Sequence, residues 1–278
     1  MTFVNHRPKD MPEAFSTLFP CRLRQCPETL ELSNYYPINL SKLNHPSQST
    51  VLTLTTLYLR KCEISDGTLY RRNREIYDGD GKTTLDPFAS CVNLKKLYLG
   101  KCSVGERFIL KITGPQLVWL VIDGLHIYPK LELGRYDDIM KLEIWAPKLK
   151  TFGCNLRMPL DFSSLHLPVL ENLYIRFAEA TISLRKSFQF LMNMFQGFHH
   201  AQSVEICHTT MVILRLVDAA LLEQRPCPFT RLKTLTVCQE NIPANVMDYF
   251  LRAASTSVQV KLARVERTWG GERTWENI

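Results

Sequence analysis

Apolar residues recur along this chain as a repeated phrase. LTTLYLRKC (Leu54–Cys62) and NLKKLYLGKC (Asn93–Cys102) share LYL-x-KC at a spacing of 40 residues. The template behind the phrase is Leu-x-x-Leu-x-Leu-x-x-Cys/Asn. It fits Leu54, Leu57, Leu59 and Cys62, and again Leu94, Leu97, Leu99 and Cys102. Looser copies follow at Leu117/Leu120/Ile122/Leu125, Leu149/Phe152/Cys154, Leu170/Leu173/Ile175 and Leu232/Leu235/Val237. Two degenerate copies are Leu30/Leu32/Tyr35 and Val204/Ile206. The second apolar position falls at Leu30, Leu57, Leu97, Leu120, Phe152, Leu173, Val204 and Leu235, at intervals of 21 to 40 residues with a mean near 29. A series this long is the mark of a repeat architecture.

Alternation of period two within each copy makes a short strand with one buried face. One such strand cannot bury that face alone, so stacked copies are expected to share an apolar interior beneath a parallel sheet. The predicted fold is therefore α/β: a curved, ribonuclease-inhibitor-like leucine-rich-repeat solenoid. It has a parallel concave sheet and a mixed helical and extended convex side. FQFLMNMFQGF predicts a returning helix that buries Phe190, Leu191, Met194, Phe195 and Phe198, with Gly197 near its stop. ANVMDYFLRAA predicts another that buries Val246, Met247, Phe250, Leu251 and Ala254. DIMKLEIWAPKLK alternates Ile139, Leu142 and Ile144 before Pro147, which predicts an extra strand on the convex side. The polar, Gly/Asp-rich stretch inside the 40-residue interval predicts a protruding loop.

Composition changes this picture little. Of 278 residues, 45% are apolar and 22% charged, as in an ordinary folded chain. The net charge of +7 is scattered. Its densest cluster, Arg71-Arg72-Asn73-Arg74, is followed at once by Glu75, Asp78 and Asp80 and reads as a solvated loop, so nucleic acid is not an expected partner. MVILRLVDAALL contains Arg215 and Asp218 and falls short of the ~20 apolar residues of a membrane span. The N-terminal stretch shows no apolar run of a secretory signal, so a reducing cytoplasmic or nuclear setting is expected and the Asn39 sequon is read as unused. Nine cysteines without a Cys-x-x-Cys pair read as reduced, mostly buried thiols. Cys62 and Cys102 hold the last template position, where a side chain bonds the turning backbone.

Candidate chemistry is sparse. DGDGKTT (Asp78–Thr84) has Ile76 where a phosphate-binding loop needs its first glycine, and Ala89 where a calcium loop needs its bidentate Glu. His199-His200 reads as two solvated histidines at a helix-to-strand turn. Cys207 and His208 would point to opposite faces of a strand. No nucleophile elbow, zinc-protease or dinucleotide fingerprint occurs. No catalytic activity, cofactor or metal is expected.

The expected site is the strand face that alternates with the buried one. One column there reads Glu31, Tyr58, Tyr98, Val121, Gly153, Tyr174, Glu205 and Thr236. The next reads Ser33, Arg60, Gly100, Asp123, Asn155, Arg176, Cys207 and Cys238. Exposed aromatic and arginine side chains anchor protein interfaces, so Tyr58, Arg60, Tyr98, Trp119, Asp123, Asn155, Tyr174 and Arg176 are the expected partner-binding residues. The competing reading is that Tyr58 and Tyr98 stack only to stabilise the sheet.

LTTLYLRKCEIS, FASCVNLKKLYLGKCSV, LEIWAPKLKTFGC, CPFTRLKTLTV and FLRAASTSVQV resemble the leucine-rich-repeat region of plant F-box proteins, and the last two resemble their FBD part. The resemblance spans roughly Leu30 to Leu262. It implies a substrate-recognition solenoid, which in that family hangs from an F-box docked to a cullin-based ubiquitin ligase. Residues 1–26 do not show the Leu-Pro opening and helical Leu/Ile pattern of an F-box, so no F-box residue is assigned. Ligase subunits are expected partners only through an F-box elsewhere. The expected organisation is this N-terminal segment, a solenoid over 27–262, and a flexible tail over 263–278 in which Glu-Arg-Thr-Trp is duplicated. The expected function is recognition of a protein substrate without catalysis. The alternative is a stand-alone or truncated repeat-binding protein, such as the repeat region of an immune receptor.

Overall fold

In the computed structural model, the described residues are 2–4, 28–33, 53–64, 83–105, 108–128, 140–156, 160–177, 184–216, 222–238, 242–254 and 257–263. The Gly/Asp-rich loop, the Arg71–Arg74 cluster, Asn39 and residues 264–278 of the expected tail lie outside them, as does the expected N-terminal segment apart from Thr2–Val4.

In chain order the strands begin with β1 (Thr2–Val4), β2 (Thr29–Ser33), β3 (Thr56–Arg60), β4 (Glu63–Ile64), β5 (Thr83–Leu85) and β6 (Lys96–Gly100). Next come β7 (Ser103–Gly105), β8 (Phe108–Thr113), β9 (Trp119–Asp123), β10 (His126–Tyr128), β11 (Met140–Trp145) and β12 (Thr151–Leu156). The last are β13 (Leu160–His166), β14 (Asn172–Phe177), β15 (Ser203–Ile206), β16 (Thr234–Val237) and β17 (Gln259–Leu262). Among the described residues, helices α1 (Leu184–Gly197), α2 (His208–Leu216) and α3 (Ala244–Ala253) join the later strands. The fold is α/β with few helices, and the strand pairings within each unit are parallel. No helix among the described residues is long and apolar enough to cross a membrane. The chain divides into two compact units, Met1–Lys150 with Met158–Val169, and Thr151–Arg157 with Leu170–Ile278.

In the first unit β1, β2, β3, β6 and β9 lie side by side. Leu30, Leu57, Leu97 and Leu120 are in register, as are Leu32, Leu59, Leu99 and Ile122. These eight side chains are at most 1% exposed, and burying each contributes about 1.5–3 kcal/mol. The template thus does what its period demands, stacking like on like so that each strand finishes the core of its neighbour.

The non-strand positions of the phrase have their own work. Its first leucine closes a tight turn: Leu94 N–H donates to Cys91 O, and Leu117 N–H to Gly114 O. The next two amides share one carbonyl of the preceding strand segment: Thr55 and Thr56 share Glu28 O, Lys95 and Lys96 share Thr55 O, and Val118 and Trp119 share Lys95 O. At the other end Lys61 and Lys101 take a left-handed φ of 52° and Gly124 one of 74°. That reversal turns the chain into the three-stranded sheet of β4, β7 and β10. Cys62 Sγ donates at 3.2 Å to Arg60 O, with Leu32 O at 3.6 Å. Cys102 Sγ lies 3.4 Å from Leu59 O and 3.6 Å from Gly100 O. Both thiols therefore fasten the turning backbone, as their template position predicts.

Ile139 lies outside the described residues, and the expected extra strand is β11, which buries Leu142 and Ile144 as predicted and Met140 with them. It does not stand alone: β13, β11, β8 and β5 form a four-stranded sheet of the first unit.

In the second unit β12, β14, β15, β16 and β17 are neighbours. Their buried row of Phe152, Leu173, Val204 and Leu235 is again in register. Phe152 of this row joins an aromatic cluster with Phe195, Phe198, Phe229 and Phe250, with ring centroids 4.7 Å apart for Phe152 and Phe198, 5.1 Å for Phe195 and Phe229, and 5.9 Å for Phe195 and Phe250. The buried stripes differ from the predicted ones. In α1 they are Phe188, Leu191, Met192, Met194 and Phe195, and Phe190 is only half-buried. In α3, Val246, Tyr249 and Phe250 are buried, Met247 and Ala254 half-buried, and Leu251 exposed. An i, i+3, i+4 stripe excludes the residue 100° further on, and Leu251 is one step past Phe250. Tyr249 takes part because its hydroxyl finds Met192 Sδ at 3.4 Å.

Candidate functional site

Each unit has a strand face opposite its apolar rows, open where its side chains are half-buried or exposed and closed at Tyr98, Gly100, Val121 and Gly153, which are buried. In the first unit the registers make a grid: Thr29, Thr56, Lys96 and Trp119, then Glu31, Tyr58, Tyr98 and Val121, then Ser33, Arg60, Gly100 and Asp123. Residues two apart on a strand share a face, so Trp119 stands with Val121 and Asp123, beside Lys96. Tyr58, Arg60, Trp119 and Asp123 are half-buried. Tyr98 is not the exposed anchor that the alternation predicts; it is 4% exposed.

The cause is Gly100. A Cβ there would lie 2.4 Å from Tyr98 Cε1 and 2.8 Å from its Oη, so the missing side chain lets the ring fold down over the strand. Tyr98 Oη then donates to Asp123 Oδ2 at 2.9 Å. The Arg60 guanidinium sits 4.9 Å from the centre of the same ring, and Tyr58 is 6.0 Å away, tilted at 46°. Arg60 Nε faces Glu31 Oε1 at 3.5 Å. Burial, then the charge and hydrogen bond of Asp123, hold the Tyr98 hydroxyl well above the usual phenol range, against an opposing pull from Arg60. Tyr58, Arg60, Tyr98 and Asp123 are one connected cluster, with Glu31 as its fifth member. Glu31 stands beside Tyr58 in the column, the signal that should have included it among the site residues.

In the second unit the rows are Thr151, Asn172, Ser203, Thr234 and Gln259, then Gly153, Tyr174, Glu205, Thr236 and Lys261. The first row carries an amide or hydroxyl at every position, and Asn172 Nδ2 reaches Thr151 Oγ1 at 3.4 Å. Asn155, Tyr174 and Arg176 are half-buried, with Asn155 beside Arg176 in register. Arg176 Nη2 pairs with Glu205 Oε1 at 3.5 Å. Burial raises the Glu205 carboxyl above its usual range although Arg176 pulls it down, and burial and Glu205's charge raise the Tyr174 hydroxyl.

Among the described residues, burial raises several thiols above their ordinary range. Burial pushes the half-buried Cys238 up to about 11, with Glu205 adding and Arg176 opposing. Cys91 is pushed up to about 11 and Cys227 to about 12, chiefly by burial. Cys207 is buried against Thr210 Oγ1 at 3.5 Å, whereas His208 opens α2 and is exposed. The pair straddles a strand-to-helix junction, not a strand. His199 is exposed and His200 half-buried, their ring centroids 4.0 Å apart. Among the described residues no three His, Cys, Asp or Glu side chains gather as a metal site would require.

No protein-family model and no curated protein matches the chain.

Proposed function

We propose that the chain is a leucine-rich-repeat solenoid that recognises a protein substrate by its open strand faces and has no catalytic role of its own. The reading takes the curved, ribonuclease-inhibitor-like form as the architecture and delivery of the bound protein to a cullin-based ubiquitin ligase of the F-box type as the purpose. One observation carries it: the open faces hold aromatic and arginine side chains fixed in register, with Tyr58, Arg60 and Asp123 braced around Tyr98. Pre-ordered aromatic and arginine side chains lose little freedom on binding, which favours them as anchors. The phrase-by-phrase resemblance to plant F-box repeat proteins supports the ligase part.

The test is affinity capture with the full chain as bait in a plant cell extract, followed by mass spectrometry. A parallel bait carries Tyr58→Ala and Trp119→Ala, both half-buried, so that the fold survives. Proteins held by the natural chain and lost from the variant, together with cullin-ligase subunits, are the expected result. Partners indifferent to both substitutions sink the face assignment. A face-dependent partner without ligase subunits removes the ligase part alone.

A further inference from the structure

The charges of the first unit's open face are unevenly answered. Glu31 pairs with Arg60, and Asp123 accepts from Tyr98. Lys96, at the start of β6, is exposed, and so are Lys61 and Lys101, just beyond the ends of β3 and β6. Among the described residues none of these three ammonium groups is hydrogen bonded or ion paired. Lys61 and Lys101 occupy the same position on adjacent strands. Each is pinned in a left-handed conformation by its own amide, with Lys61 N–H donating to Gly100 O at 2.7 Å and Lys101 N–H to Asp123 O at 2.6 Å. Two ammonium groups are thus rooted about 5 Å apart, one strand spacing. Lys96 lies five residues of extended chain from Lys101, about 16 Å. Between the two cationic ends stand Tyr58 and the Tyr98 ring, and Trp119 is in register with Lys96 at its end.

We infer that this face binds an extended acidic peptide whose Asp or Glu side chains straddle an apolar or aromatic residue. The inference rests on the proposed function and names the chemistry of its partner. The distance between the lysines sets the spacing: extended chain advances about 3.3 Å per residue, so carboxylates about four to six residues apart reach both ends. A nucleic acid fits less well. Its phosphates follow one another without a gap, and such a strand would run over the half-buried carboxylates of Glu31 and Asp123. A peptide can place its charges at the ends and its apolar residue between them.

The experiment selects dodecapeptides from a randomised phage-displayed library on the full chain and measures the enriched sequences, fluorescein-labelled, by anisotropy. The enriched sequences are expected to carry acidic residues about four to six apart around an apolar one. Affinity should fall at least about tenfold in the Lys61→Glu, Lys96→Glu, Lys101→Glu triple variant, by less in the corresponding Gln triple, and with added salt. Tyr58→Ala should also weaken binding, while Lys141→Glu, on β11, leaves it unchanged. All three lysines are exposed, and circular dichroism checks that the variants fold. Neutral or basic peptides that need Tyr58, or acidic ones indifferent to the triple variant, overturn the acidic assignment and leave the recognition face standing. Failure to enrich any peptide that depends on this face overturns both. Labelled single-stranded RNA bound in a lysine-dependent way, with no such peptide, overturns the peptide in favour of nucleic acid.

Discussion

Gly100→Ala should cost far more than an alanine on a strand ought to. Gly100 is not among the positive-φ glycines, so the backbone accepts an L residue. The alanine should even gain about 0.5–1 kcal/mol by restricting the unfolded chain. The new methyl, however, would lie 2.4 to 2.9 Å from three atoms of the Tyr98 ring, and the ring must swing away. That breaks the 2.9 Å hydrogen bond to Asp123, worth about 1.5 kcal/mol at a half-buried carboxylate. It also returns about a third of a buried ring to water, on the order of 60 Å² and about 1.5 kcal/mol. The net expectation is a loss of about 2 kcal/mol in urea unfolding followed by circular dichroism, with the slope against denaturant unchanged. The decisive measurement repeats Gly100→Ala in a Tyr98→Ala background. With the ring gone, the sign should reverse to a gain of about 0.5 kcal/mol, a coupling of some 2.5–3 kcal/mol. Equal costs in the two backgrounds would show that the ring is not what the glycine accommodates.

Three further outcomes follow from the geometry. Burial holds the Glu63 carboxyl above its ordinary 4.5, so the folded chain binds that proton more tightly than the unfolded chain. This group's contribution is fully present below pH 4.5 and is lost as pH rises through the folded value. Glu63→Gln should therefore raise the melting temperature at pH 7 and leave it unchanged near pH 4; a lower melting temperature at pH 7 refutes the sign. Gly124→Ala should destabilise by about 1 kcal/mol because φ there is positive, whereas Lys101→Gly, at the equivalent turn, should be neutral or slightly stabilising. Iodoacetamide at pH 8 should leave Cys62, Cys102 and Cys154 unmodified until the chain is unfolded, since all three are buried. Cys238, at about 11, should react slowly, with on the order of 0.1% thiolate; rapid native labelling of Cys62 or Cys102 contradicts the packing.

All eight copies of the apolar phrase coincide with strands, and the extra strand was legible too, because a period of two is a local property of the residues that form it. The thiol positions at Cys62 and Cys102 were readable for the same reason: a turn that repeats leaves its bonding residue at a repeating place. Strands β1 and β17 were not among the copies. Thr2–Val4 is only three residues long, too short to show a period; β17 does alternate Val260 and Leu262, in register with Leu235 and Val237, but all four of its residues are exposed. In α1 and α3 the periodicity predicted helices but drew their buried stripes slightly wrong, since Phe190 and Leu251 are as apolar as the neighbours that the core accepts.

The candidate site divides along the same line. Alternation by itself assigned Tyr58, Arg60, Tyr98, Trp119, Asp123, Asn155, Tyr174 and Arg176 to the face opposite the leucines, and the registers agree wherever those strands pair. It could not distinguish an anchor offered to a partner from a ring folded over a neighbouring glycine, because that depends on the residue two positions along and on a carboxylate one strand away. Tyr98 and Tyr58 occupy the same place in the same phrase; Gly100 in place of Arg60, and Asp123 within reach, bury one and leave the other half-open. Local pattern therefore determined which side of the strand each residue takes. Only the tertiary arrangement decided which of those side chains remains available, because availability is a property of distances between strands.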